Sequence, residues 1–144
     1  WPAIWMLNSK IDSIGWPNCG EIDIMEHVGF DPYKVYFSIH NANLYGNVHG
    51  TSQQGVYESN SLENSFRNYA IEWGENFIRG YIDDILYFNY SKNSDSFNDW
   101  PYDNPFFLII NLAIGGEWGG IQGIDNSIFP ASFVIDYVRL YIKE

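Results

Sequence analysis

Gly20-Glu-Ile-Asp-Ile-Met-Glu-His27 sets three carboxylates within six residues of an otherwise apolar run. Glu21 and Asp23 alternate with Ile22 and Ile24, the period of a β-strand with one wet face and one packed face. A flat strand would carry Glu26 onto the packed face beside Ile22. Burying that charge costs several kcal/mol or a large pKa shift. One extra residue around Ile24-Met25, forming a β-bulge, returns Glu26 to the face of Glu21 and Asp23. The segment therefore reads as a bulged strand.

Further strands are expected near Trp1–Leu7, Val35–His40, Tyr69–Trp73, Phe77–Ile82, Ile85–Tyr90, Phe106–Ile114 and Phe133–Ile142. No segment sustains a period of 3.6, so the fold class is all-β. Gly74-Glu75-Asn76 and Asp83-Asp84 join consecutive runs as tight turns. The stretches Asn41–Phe66 and Ser91–Asn104 are rich in polar and turn-forming residues and read as long surface loops. Phe106–Ile114 is apolar on both faces, which predicts an interior strand covered on each side by two packed sheets. In the last run Val134, Val138, Leu140 and Ile142 share one face with Asp136, an acid that would need a partner there.

The chain has 144 residues, 46% of them hydrophobic and 17% charged, which fits one folded domain. A formal charge of −11 repels nucleic-acid backbones and anionic membrane surfaces, so neither is an expected partner. No apolar run approaches a membrane span. The single cysteine, Cys19, excludes an intrachain disulfide and is expected to be a small buried residue. Aromatic residues reach 19%, more than a core of this size needs, and point to a ligand with flat apolar faces.

With the bulge absorbing one residue, the Cα atoms of Glu21 and Glu26 stand roughly 13 Å apart. Side chains leaning together can bring their carboxyls to roughly 5 to 6 Å, the separation of a retaining glycosidase, whereas an inverting enzyme needs roughly 6.5 to 9.5 Å. Asp23 between them can bond one Glu and raise the proton affinity of whichever acts as acid. Spacing does not say which Glu attacks. Acids in this pattern also suit a solvated strand face or a hard cation. The neighbouring tryptophans tip the reading towards sugar: Trp1, Ala3 and Trp5 share one face of the first strand, and Trp16 lies just before Glu21.

Trp1-Pro-Ala-Ile-Trp-Met-Leu7, Gly20–His27, Val35-Tyr-Phe-Ser-Ile-His40, Tyr69-Ala-Ile-Glu-Trp73, Asn111-Leu-Ala-Ile-Gly-Gly116, Phe129-Pro130 and Ile135-Asp-Tyr-Val-Arg-Leu-Tyr141 resemble the successive landmarks of glycoside hydrolase family 16. The bulged acid motif is similar to that of its laminarinase branch, endo-β-1,3-glucanases. The resemblance implies a concanavalin-like β-jelly-roll sandwich whose concave sheet forms a cleft for a polysaccharide. It makes Glu21 the nucleophile, Glu26 the general acid and then base, and Asp23 the residue tuning the pair. Trp1, Trp5 and Trp16 match substrate subsites, and His40 matches a histidine that reaches toward the acid/base.

Trp118, in the Gly-rich loop Gly115–Gly120, could border the cleft, while Trp73 and Trp100 read as core and His27 and His49 as structural. Asp136 aligns with an acid that in many members helps hold a structural calcium; catalysis itself implies no cofactor. Glu117 and Asn41 depart from common residues of the family and could alter subsite preference.

The family domain carries several strands before the Trp1 segment. Residues 1–144 are thus expected to be the C-terminal part of one catalytic domain, marginally stable and weakly active alone. The implied substrate is a neutral β-1,3-glucan of the laminarin type, hydrolysed by double displacement outside the cell by a monomer. The readings set against it are a non-catalytic β-glucan-binding module, a same-fold hydrolase of mixed-linkage glucan or marine galactan, and a metal-dependent hydrolase. Few Lys or Arg near the motif disfavour sulfated galactans.

Overall fold

The computed structural model describes residues 1–46 and 53–142. Among these residues eight strands form two antiparallel sheets: β1 (Pro2–Asn8), β2 (Glu21–Glu26), β3 (Lys34–His40), β4 (Gln53–Glu58), β5 (Tyr69–Gly74), β6 (Phe77–Ile82), β7 (Ile85–Ser91) and β8 (Phe106–Leu112). The first sheet has the order β4-β3-β2-β1-β8 and the second the order β5-β6-β7. Among the described residues helix is confined to the short α1 (Ile11–Ile14) and α2 (Ala42–Gly46) and two 3-10 turns. His49 lies outside the described residues.

The core sits between the sheets. Ile22, Ile24, Phe37 and Ile39 of the larger sheet meet Ile78 and Phe88 of the smaller one, and Trp100 and Tyr102 close the end. Phe37 and Phe88 stack with ring centroids 4.4 Å apart. Gly80 makes room for this: a Cβ there would lie 2.2 Å from Cδ2 of Phe37. Gly80→Ala should therefore destabilise the chain by about 1–3 kcal/mol or more, seen as a lower urea midpoint at unchanged slope. An unchanged midpoint would show that the two sheets part easily.

The hairpins form where expected. Gly74 pairs with Phe77 and Ile82 with Ile85. Asp83 and Asp84 adopt positive φ of 46° and 66°, as a two-residue turn with right-handed strand twist requires. Arg67 Nη1 donates to Asp83 Oδ2 at 2.7 Å and the Asn68 amide to Asp83 Oδ1 at 2.9 Å, locking the turn.

Several expectations need correction. Part of the polar stretch read as loop is β4, which pairs along β3 from Lys34↔Glu58 to Ile39↔Gln53. Its composition hides it, because an edge strand with one neighbour can carry polar side chains on both faces. Likewise Trp100 and Tyr102, near the end of the second polar stretch, are buried. Phe106–Ile114 is not an interior strand: among the described residues β8 ends the sheet, paired only with β1, and Leu108 and Ile110 are 41% and 37% exposed. Phe133–Ile142 forms no strand among the described residues. It lies as exposed chain in which only Phe133 packs on the core, so the apolar face that would have enclosed Asp136 is not built. Trp73 is 37% exposed, edge-on to Phe106, rather than core.

Candidate active site

Strand register decides where the acids point. Against β1, Trp5 pairs with Asp23 and Ile4 with Met25, so Ile24 has no partner. Against β3, Asp23 pairs with Ser38 and Glu26 with Tyr36, two residues of β2 facing Phe37 alone. This is the expected bulge. Ile24 and Met25 both turn inward and are buried, while Glu26 rejoins Glu21 and Asp23. Glu21, Asp23 and Glu26 line one cavity of about 250 Å³ together with Trp1, Ala3, Trp5, Asn111 and Ala113.

Hydrogen bonds fix the side chains. Trp1 Nε1 donates to Glu26 Oε1 at 3.1 Å. Trp16 bonds the Glu21 carboxyl, and Glu21 and Asp23 share a hydrogen bond. His40 Nε2 lies 2.9 Å from Asp23 Oδ2 and 3.7 Å from Glu21 Oε1. The histidine matched to one reaching the acid/base thus braces the other two acids. Its position opposite Glu21 in the β2–β3 register places it there. Tyr102 Oη donates to the His40 carbonyl at 2.9 Å, holding that strand end from behind.

All three acids hold protons more tightly than free carboxyls. Burial first, then the charge of Asp23, pushes Glu21 up to about 8; His40 and the Trp16 bond act against this. Asp23, fully enclosed, is pushed up by burial to about 8. Burial and Asp23 push Glu26 up to about 7, with the Trp1 bond opposing. Burial lowers the pKa of His40, against the charges of Glu21 and Glu26. The acids interact, so protons belong to the cluster, which carries fewer than three negative charges at neutral pH. Glycoside hydrolysis by two acids requires one ionised and one protonated carboxyl, and the raised values, Glu21 above Glu26, do not assign which is which.

A model of the glycosyl hydrolases family 16 matches residues 1–139. The chain belongs to glycosyl hydrolase family 16. A β-glucanase of Rhodothermus marinus is 45% identical over 98% of this chain and 51% of its own length. A keratan-sulfate endo-1,4-beta-galactosidase of Sphingobacterium multivorum is 38% identical over 98% of this chain and 33% of its own length. The crystal structure of a laminarinase from Flavobacterium sp. UMI-01 superposes with a TM-score of 0.82 at 41% identity, covering 90% of this chain and 54% of that one. The two antiparallel sheets match the jelly roll of these family 16 structures. The chain spans no more than about half the length of these relatives.

Of the family 16 residues singled out in the sequence, Trp1 and Trp5 lie in the cavity wall, whereas Trp16, 46% exposed, and His40 are not among the residues lining it; their ring centroids are 5.8 Å apart. Trp118 does not line the cavity; it packs edge-on against Trp1 and Tyr36, 5.4 and 5.0 Å away, and supports the Trp1 platform. His27 is structural, its ring nitrogens meeting the Lys34 carbonyl and Glu63, and Cys19 is buried.

Asn111 was not anticipated. Its Oδ1 accepts from Trp5 Nε1 at 2.7 Å, orienting the indole and leaving its amide NH₂ beside the cavity. It opens the landmark stretch Asn111–Gly116, but its place in the cavity, opposite Ala3, needed the sheet.

Asp136 stands apart, exposed and in no group of three metal-ligating side chains among the described residues. A lone exposed carboxylate fits poorly a cation that takes about six to eight oxygens. The donor atoms of Glu21, Asp23 and His40, all within 4.8 Å of one another, are the closest approach to a cation site. They are already bonded among themselves.

Proposed function

We propose that the chain carries the catalytic acids of a retaining endo-β-1,3-glucanase acting on a neutral, laminarin-type glucan, with Glu21 as nucleophile and Glu26 as acid/base. The bulge that sets Glu26 back among Glu21 and Asp23 in a tryptophan-walled cavity carries this reading. Trp1 and Trp5 offer apolar faces on which the C–H faces of glucosyl rings rest, and Glu26 gives its proton to the departing glycosidic oxygen. Glu21 attacks the anomeric carbon from the opposite side and forms an ester. Water, deprotonated by Glu26, then breaks that ester and restores the original configuration. Asp23, bonded to Glu21 and braced by His40, shapes the charge through both steps.

The β-glucanase and laminarinase relatives support glucan as the substrate. Among the described residues no Lys or Arg lines the cavity, which disfavours the sulfated glycan named for the Sphingobacterium relative. Action outside the cell as a monomer goes with a polymeric substrate. The test is incubation with laminarin, lichenan and agarose, following reducing ends and the configuration of the first-formed product by proton NMR. Laminarin should yield β-configured reducing ends that later mutarotate. First-formed α product would exclude double displacement, and release from agarose alone would exclude the substrate.

A further inference from the structure

Two bulges face each other across the sandwich. In β7, Leu86 pairs with Tyr81 and Phe88 with Gly80, so Tyr87 is the extra residue there, as Ile24 is in β2. Tyr87 Oη donates to the Ile24 carbonyl at 3.1 Å. Ile24 has no partner residue in β1 or β3, so the strand register is broken at the residue whose carbonyl Tyr87 reaches. Buried against the second sheet, such a group needs a donor.

The surroundings hold the phenol in place. Its ring stands edge-on to Phe37 and Tyr57, with centroids 6.1 and 6.2 Å away. A Cβ on Gly55 would lie 2.3 Å from the Tyr87 carbonyl oxygen, so only the bare backbone of β4 admits the bulged segment of β7 this close. Both sheets are therefore shaped to bring one hydroxyl to one carbonyl. Two residues further along β2 is Glu26, and a one-residue slip of a strand exchanges its two faces.

We propose that Tyr87 is a positioning residue, anchoring the β2 bulge from the opposite sheet so that Glu26 faces the cavity beside Glu21. The proposal rests on the glucanase reading for its kinetic consequence, and on the fold alone for its structural one. Trp1 holds the Glu26 carboxyl from the cavity side and Tyr87 holds its backbone from the core side, which leaves the acid/base little freedom.

Tyr87→Phe tests it, because the ring and its packing stay and only the hydroxyl leaves. Expected are a moved carbonyl ¹³C shift at Ile24, a moved titration midpoint of the Glu26 carboxyl by NMR, and a kcat on laminarin lowered roughly tenfold or more at nearly constant KM. A merely structural tyrosine would lower the melting temperature and leave the Glu26 midpoint and kcat unmoved. That result overturns the proposal. If the parent chain releases no sugar from laminarin, the glucanase reading fails by itself, and the Ile24 and Glu26 shifts still decide for or against the anchor.

Discussion

Glu21→Gln should lower release of reducing ends from laminarin on the order of a thousandfold or more, since the variant keeps the shape of the cavity and loses the attacking oxygen's charge. Glu26→Gln should match it on polymer, where the leaving oxygen needs a proton. The two acids separate on an aryl β-glycoside whose leaving group departs unaided. With Glu26→Ala, Glu21 still forms the ester; added azide then attacks the anomeric carbon, displaces the Glu21 carboxylate and gives a β-glycosyl azide. With Glu21→Ala, azide occupies the vacated side, attacks directly and expels the aryl oxide, giving an α-glycosyl azide. The reverse pairing of variants and products would exchange the two roles. Full activity in either variant would end the two-acid mechanism.

Stability should fall as pH rises from about 5 to about 8, contrary to the behaviour of a protein held by surface ion pairs. Glu21, Asp23 and Glu26 have folded-state pKa values raised to about 8, 8 and 7, above their ordinary 4.5, 3.8 and 4.5. Across this window the folded chain binds more protons than the unfolded one, so each unit of pH favours unfolding. His40, its pKa lowered, works against this, costing stability as pH falls below its ordinary 6.5. Asp31, Asp83 and Asp125 are shifted downward, and their contributions are lost only at more acid pH. The net effect is on the order of a few kcal/mol between pH 5 and 8. Thermal melts at unit steps of pH would show it, and a Glu21→Gln, Glu26→Gln double variant should melt with a much flatter profile. A parent melting temperature that rises from pH 5 to 8 would contradict the burial of the acids. A double variant as steep as the parent would assign the effect to the general negative charge.

The unequal legibility of the parts has physical causes. A carboxylate cannot rest on an apolar face without a partner, so the break in alternation after Ile24 exposed the bulge. Asp83-Asp84 was legible as a turn because two strands and two intervening residues leave few alternatives. β4 was not, since Gln53–Glu58 lacks alternation and becomes a strand only because β3 offers it a ladder. β8 misled for the opposite reason: a doubly apolar run says what a strand can tolerate on its faces, and not whether another strand arrives to cover them.

By itself the sequence determined the strand period, the face shared by Trp1, Ala3 and Trp5, and the need for three acids to lie together, because these follow from local geometry and the cost of burying charge. Only the tertiary structure decided what steers those acids. His40 reaches Asp23 and Glu21, Asn111 turns Trp5, Trp118 supports Trp1, and Tyr87 meets the Ile24 carbonyl from the other sheet. These contacts join residues distant along the chain, and a hydrogen bond has no direction until both partners have been placed in space.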